Sequence, residues 1–265
     1  MAADRTILVF DSGLGGITVY REIVAARPDA NFFYVADDAG FPYGALTESA
    51  LVARVVGLMG ELIAAHAPDL VVIACNTAST LVLPTLREKF SLPFVGTVPA
   101  IKPACAQSVT KRVAVLGTQA TIGREYTRAL IREFAGDCEV ILVGSARLAG
   151  FAEAELAGMP ASDADIGAEI AGCFVGDVGW RTDAVVLACT HYPLLLGRFN
   201  KLARWPVIWI DPAPAIARRV IELTGPAAGR EPVTAARIVF TSGRPPSLRL
   251  AAALAGYGFA PAAVG

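Results

Sequence analysis

Short apolar runs punctuate the chain at 6–10 (TILVF), 32–36 (FFYVA), 70–74 (LVVIA), 93–96 (PFVG), 112–117 (RVAVLG), 139–144 (EVILVG), 184–188 (AVVLA) and 206–210 (PVIWI). Within them hydrophobic residues are nearly continuous and do not alternate with polar ones. Strands covered on both faces carry that signature, because successive side chains point to opposite sides and both sides are buried. Between the runs lie longer stretches with helical spacing, at 18–26, 47–65, 78–90, 122–134, 163–174 and 213–223. The alternation predicts an α/β fold in which crossover helices connect parallel strands.

In such sheets a ligand sits beyond the carboxyl ends of the strands. The polar residues that follow the runs are Asp11, Ser12 and Gly13, then Asp37 and Asp38, Cys75, Asn76 and Thr77, Thr118 to Thr121, and finally Cys189, Thr190 and His191. Two of these junctions match: VVIACNTAST (71–80) and VVLACTHYPL (185–194) each end an aliphatic run on Ala-Cys and pass at once into hydrogen-bonding residues. Their cysteines lie 114 residues apart. Such a recurrence predicts two similar α/β halves, each contributing one cysteine.

Composition narrows the classes. With 265 residues the chain can bury one large core or two modest ones. Its mean hydropathy of +0.53 is high, yet no unbroken apolar run approaches the roughly 18–20 residues of a membrane span. The N-terminal MAADRTILVFDSG, with Asp4 and Arg5 ahead of a short strand, lacks a signal-peptide pattern. Basic and acidic residues number 23 and 24, for a net charge of −1 without long runs of either sign. A nucleic-acid partner is therefore not expected. Five cysteines without CxxC spacing predict reduced thiols and a cytoplasmic protein, with no membrane association.

Cys105, Cys138 and Cys173 have no polar cluster around them in sequence and read as small buried hydrophobes. Cys75 and Cys189 differ, because backbone N–H groups and the helix dipole at a strand-to-helix junction lower a thiol pKa from its usual ~8.5. Zinc would need more soft or imidazole ligands than His66 and His191 supply, so no metal site is expected. A Cys-His hydrolase would use one of the two cysteines with His191 and leave the other without a task. DSGLGG (11–16) is neither a GxGxxG motif nor a P-loop; it reads as a tight turn that carries an ionisable Asp11. ADDAGFPYG (36–44) reads as a loop that offers Asp37, Tyr43 and Gly44 to a ligand. His191, two residues after a strand-end cysteine, is a candidate general acid or base.

DSGLGG, PYG, ACNTAS, LGTQAT and CTHYP, in this order, resemble the glutamate racemases of the cofactor-independent aspartate/glutamate racemase superfamily. The resemblance extends from Phe10 to FTSG at 240–243. It implies two pseudo-symmetric parallel-sheet α/β domains, one formed by 1–97 plus 210–265 and the other by 98–209, with the active site in the cleft between them. It further implies that Cys75 takes the α-proton from D-glutamate and Cys189 from L-glutamate. Asp11 and His191 are implied as their assistants, with Glu153 of GFAEAE as a further carboxylate and Glu155 as its competitor. Ser12, Tyr43, Gly44, Asn76, Thr77, Thr190 and His191, together with Asp11, match substrate contacts, and Thr118 and Thr121 are weaker candidates. The substrate expected is L- or D-glutamate, destined for peptidoglycan synthesis. No cofactor is expected, since Lys102 and Lys111 do not sit where a pyridoxal Schiff base would need them. By the same analogy the chain is expected to form a homodimer. It departs from the family at Asp38 and at Ala39-Gly40-Phe41, where many relatives have a threonine and a basic residue. The alternatives are a racemase for aspartate or a hydantoin, a decarboxylase, or a non-catalytic ligand-binding protein such as a gyrase modulator. A decarboxylase of this kind would keep only one of the two cysteines.

Overall fold

In the computed structural model, which describes residues 5–227 and 236–260, the apolar runs become strands of two separate all-parallel sheets. Asp4 of the N-terminal segment lies outside the described residues. The first sheet comprises β1 (Thr6–Asp11), β2 (Asn31–Ala36), β3 (Leu70–Ile73), β4 (Phe94–Gly96) and β11 (Arg237–Phe240), in the order β11-β2-β1-β3-β4. The second comprises β5 (Arg112–Thr118), β6 (Glu139–Ser145), β9 (Ala184–Ala188) and β10 (Ile208–Ile210), in the order β10-β9-β5-β6. A small antiparallel hairpin pairs β7 (Gly176–Asp177) with β8 (Trp180–Arg181).

Both faces of each sheet are covered, which explains the continuous apolar runs. In β1, Ile7 and Val9 point to one side, among buried residues of α1 (Ile17–Ala26), α10 (Ala213–Thr224) and α11 (Leu248–Gly256). Leu8 and Phe10 point to the other, among residues of α2 (Glu48–His66) and α3 (Asn76–Lys89). The second sheet is layered likewise. Ala114, Leu116, Val185 and Leu187 meet α7 (Leu148–Leu156), α8 (Asp163–Ile170) and α9 (Leu196–Leu202). Val113, Val115, Ala184 and Val186 meet α4 (Ile101–Gln107) and α6 (Glu125–Phe134). Each fully buried Leu, Ile or Val side chain contributes about 1.5–3 kcal/mol of transfer free energy.

Register brings the chemistry to one edge of each sheet. Phe10 of β1 pairs with Val35 of β2 and Ile73 of β3, so Asp11, Asp37 and Cys75 emerge side by side. Gly117 of β5 pairs with Ala188 of β9, and Thr118 with Ser145 of β6, which sets Thr118 beside Cys189. The chain passes between the sheets at 97–100, after β4, and at 211–212, after β10. Both passages line one groove that also includes Lys102 and Arg219.

Two predicted helices differ from those observed. The stretch at 122–134 is two helices, α5 (Gln119–Gly123) and α6, because Arg124 between them is extended at φ −78°, ψ 145°. The stretch at 163–174 ends as an α-helix at Ile170 and continues as a 3₁₀ turn over Ala171–Cys173. Helix α2 is long and apolar enough to cross a membrane by length and composition alone. Here Leu51, Val55 and Met59 are buried in the core, and the charged Arg54 and Glu61 interrupt its apolar sequence.

Candidate active site

The two strand-end cysteines face one cavity. Ser12, Cys75, Asn76 and Thr77 reach it from the first sheet, and Thr118, Cys189, Thr190 and His191 from the second. The loop Phe41 to Gly44 and Ala149 complete its walls. Cys75 caps the N-terminus of α3, and its Sγ donates to Ser12 Oγ at 3.6 Å. Cys189 Sγ lies 3.8 Å from His191 Nδ1. Both cysteines are buried, and all five in the chain are free thiols. Among the described residues, no group of three or more His, Cys, Asp or Glu is placed to hold a metal ion.

Behind the thiols sits a chain of polar contacts. Asp11 is fully buried and accepts from the Gly16 N–H at 2.8 Å and from Thr190 Oγ1 at 3.4 Å. His191 Nε2 is 2.8 Å from Glu153 Oε1, and the same oxygen accepts the Leu14 N–H at 2.6 Å. Glu153 of α7 thus grips the glycine-rich turn after β1 and the imidazole together. Glu155, its competitor in sequence, points elsewhere and pairs with Arg198 at 3.0 Å.

These surroundings set the proton affinities. Burial pushes the Cys75 thiol well above its usual range, and the Asp11 carboxylate adds to the effect. The Ala78 N–H and Ser12 act in the opposite direction, as expected at a helix start, but they are outweighed. The sequence expectation of a lowered thiol pKa therefore fails at Cys75, because desolvation exceeds the dipole. Burial also raises Asp11, against the opposing charge of His191. For His191 burial disfavours the imidazolium, yet hydrogen bonds to Cys189 and Glu153 hold its pKa well above the ordinary value.

The remaining predicted residues fall into two groups. Asn76 is 1% exposed, and both its side-chain Oδ1 and Nδ2 lack a protein partner, so its amide is available to a ligand in the cavity. Thr77 Oγ1 lies 3.1 Å from both Thr118 Oγ1 and Thr121 Oγ1. Tyr43 lines the cavity, but its hydroxyl is committed elsewhere, donating to Asp37 Oδ2 at 2.5 Å. Asp37 also accepts from Arg54 and from Thr241 Oγ1 at 2.5 Å. It acts on the loop and does not line the cavity. Its neighbour Asp38 accepts from the Ser242 backbone N–H at 2.8 Å. Sequence reasoning did not single out Arg54 or Ala149. It noted Phe41 only as a departure, whereas the ring packs 5.5 Å from the His191 ring. Only its adjacency to PYG marked it in the sequence.

Known proteins are similar to this chain over most of its length. The model of the Asp/Glu/Hydantoin racemase family matches residues 7–220. A glutamate racemase of Brucella anthropi is 57% identical over 225 residues, covering 84% of this chain and 81% of the relative. Among solved structures, Escherichia coli glutamate racemase in complex with L-glutamate and an activator, UDP-MurNAc-Ala, superposes with a TM-score of 0.88. It is 38% identical, over 97% of this chain and 96% of that one. The RacE1 isoform of Bacillus anthracis glutamate racemase is 25% identical over 98% and 97% of the two chains, with a TM-score of 0.78.

Proposed function

This chain belongs to the Asp/Glu/Hydantoin racemase family, and from that premise we propose that its glutamate racemisation runs by cofactor-free proton transfer between Cys75 and Cys189. The observation that carries the reading is that two thiols, each at the end of a strand in a different sheet, line one cavity. Inverting an α-carbon removes a proton from one face and delivers another to the opposite face, so two acid/bases must flank it. One thiol acts as thiolate base while the other, protonated, is the donor; in the reverse direction the roles exchange. Cys75 takes the proton of D-glutamate and Cys189 that of L-glutamate.

The surrounding residues supply what the thiols lack. Burial and Asp11 favour the protonated Cys75 thiol. An incoming ammonium beside Asp11 offsets that carboxylate and eases thiolate formation. His191, held by Glu153 and 3.8 Å from Cys189 Sγ, stabilises the second thiolate and returns its proton. General acid–base catalysis supplies about 10²–10⁴-fold. The rest comes from donors aimed at the developing enediolate, here the Asn76 amide, Ser12, Thr77, Thr190 and the first turn of α3. Tyr43 and Gly44 contribute through their backbone, since the Tyr43 hydroxyl is held by Asp37. The product D-glutamate serves peptidoglycan synthesis in the cytoplasm, and the enzyme works as a homodimer of subunits divided into 1–97 plus 210–265 and 98–209.

The test is incubation of the purified protein, without pyridoxal phosphate, with D- or L-glutamate in D₂O, alongside Cys75→Ser and Cys189→Ser. Loss of optical activity from both enantiomers with deuterium at the product α-carbon is expected, and each variant should lose racemisation. A variant that racemises at the parent rate would overturn the two-thiol reading.

A further inference from the structure

We propose that Arg124 is a positioning residue for the chemistry at Cys75: a buried cation that clamps the first turn of α3 and couples closure of the cleft to the placement of Cys75, Asn76 and Thr77. The inference rests on the racemase reading above. Arg124 sits in the extended link between α5 and α6, on the side of the second sheet, and is 9% exposed. Its acceptors belong to the other half. Nη1 donates to the Thr77 carbonyl and to Thr80 Oγ1, the latter at 2.6 Å. Nε lies 3.5 Å from Glu48 Oε1 at the start of α2.

A guanidinium is costly to bury unpaired, and here Nη1 is spent on one turn of α3, the turn that carries the cavity residues, while Nε faces Glu48. Thr118 and Thr121, from the same side as Arg124, hold the Thr77 hydroxyl. The start of α3 is thus gripped from the second half through its hydroxyl and its carbonyl. The clamp thereby fixes the turn that follows Cys75 and carries Asn76 and Thr77. Opening the cleft breaks these contacts, because donor and acceptors ride on elements packed against different sheets. The break in the predicted helix at 122–134 now has a purpose: a continuous helix would not present residue 124 in this extended link.

Arg124→Ala and Arg124→Lys would be compared with the parent by steady-state kinetics and by amide hydrogen exchange over α3, with and without D-glutamate. For Arg124→Ala a rise in KM of at least tenfold is expected, with a smaller fall in kcat and faster exchange in the first turns of α3. Arg124→Lys should recover part of both effects. Parent-like KM and exchange in a folded Arg124→Ala protein would overturn the proposal, as would a loss of melting temperature alone. If Arg124→Ala does not fold, Thr80→Val removes one bond of the clamp; a KM rise of about threefold supports it and an unchanged KM overturns it. An inactive parent would refute the racemase reading, while the exchange measurement would still report the clamp.

Discussion

At Gly15 the space for a side chain is already taken. A Cβ there would lie 2.5 Å from His191 Nδ1 and 2.6 Å from the His191 backbone nitrogen. The glycine is required by this close approach, since the backbone neighbour cannot swing aside. Gly15→Ala must displace the imidazole that stands between Cys189 and Glu153. A displacement near 1 Å at a reacting group costs on the order of 100-fold, so kcat/KM should fall by about that factor while the far-ultraviolet circular dichroism spectrum stays native. Parent-like kinetics in the variant would show that His191 tolerates the shift and does not serve the thiol as described.

At the scale of elements, Asp37 joins three pieces of chain: the loop that presents Tyr43, helix α2 through Arg54, and the end of β11 through Thr241. Burial raises its pKa, but hydrogen bonds from Arg54, Thr241 and Tyr43 outweigh it and hold the carboxyl below its ordinary value. A carboxyl with a lowered folded-state pKa stabilises the fold above its unfolded value of about 3.9, and that contribution is lost as pH falls through the folded value. Asp37→Asn should therefore cost about 2 kcal/mol near neutrality, the scale of charged hydrogen bonds lost at a buried carboxylate whose arginine partner is partly exposed. The gap between parent and variant should narrow toward pH 3. Urea unfolding at pH 7 and pH 3 checks this, and a gap that does not vary with pH would refute it. How much of these elements was legible in the sequence follows the same physics. β1, β3, β5 and β9 are covered on both faces and so stood out as continuous apolar runs. β11 is an edge strand of four residues with exposed Arg237 and Val239, and it carried no such signal. α7 buries only Leu148 and Ala152 within an alanine-rich stretch, so its phase could not be read. Without that phase Glu153 and Glu155 were indistinguishable, although two positions apart on a helix they point about 200° apart. The proton affinity of Cys75 was equally illegible, since it depends first on burial in the folded cavity and then on Asp11, which sits on another strand.

The whole molecule is two layered sheets around one polar cavity, and a ligand there touches residues from both. Binding to the folded state alone stabilises it by about 2.7 kcal/mol at 100 times the dissociation constant. For a chain of this size that corresponds to a rise in melting temperature of roughly 5–10 °C. A thermal melt with saturating D-glutamate should show that rise, and an unchanged midpoint would mean that the cavity does not hold the substrate. The way the halves are joined adds a constraint on how the cavity opens. Two bodies linked at one point swivel about three axes, whereas these are linked at two, at 97–100 and at 211–212. What two links leave is a single rotation about the line that joins them. Any opening of the cavity would then carry Cys75 and Cys189 apart along one arc. A substrate entering that way would widen the gap between the thiols, and closure would bring them back opposite each other.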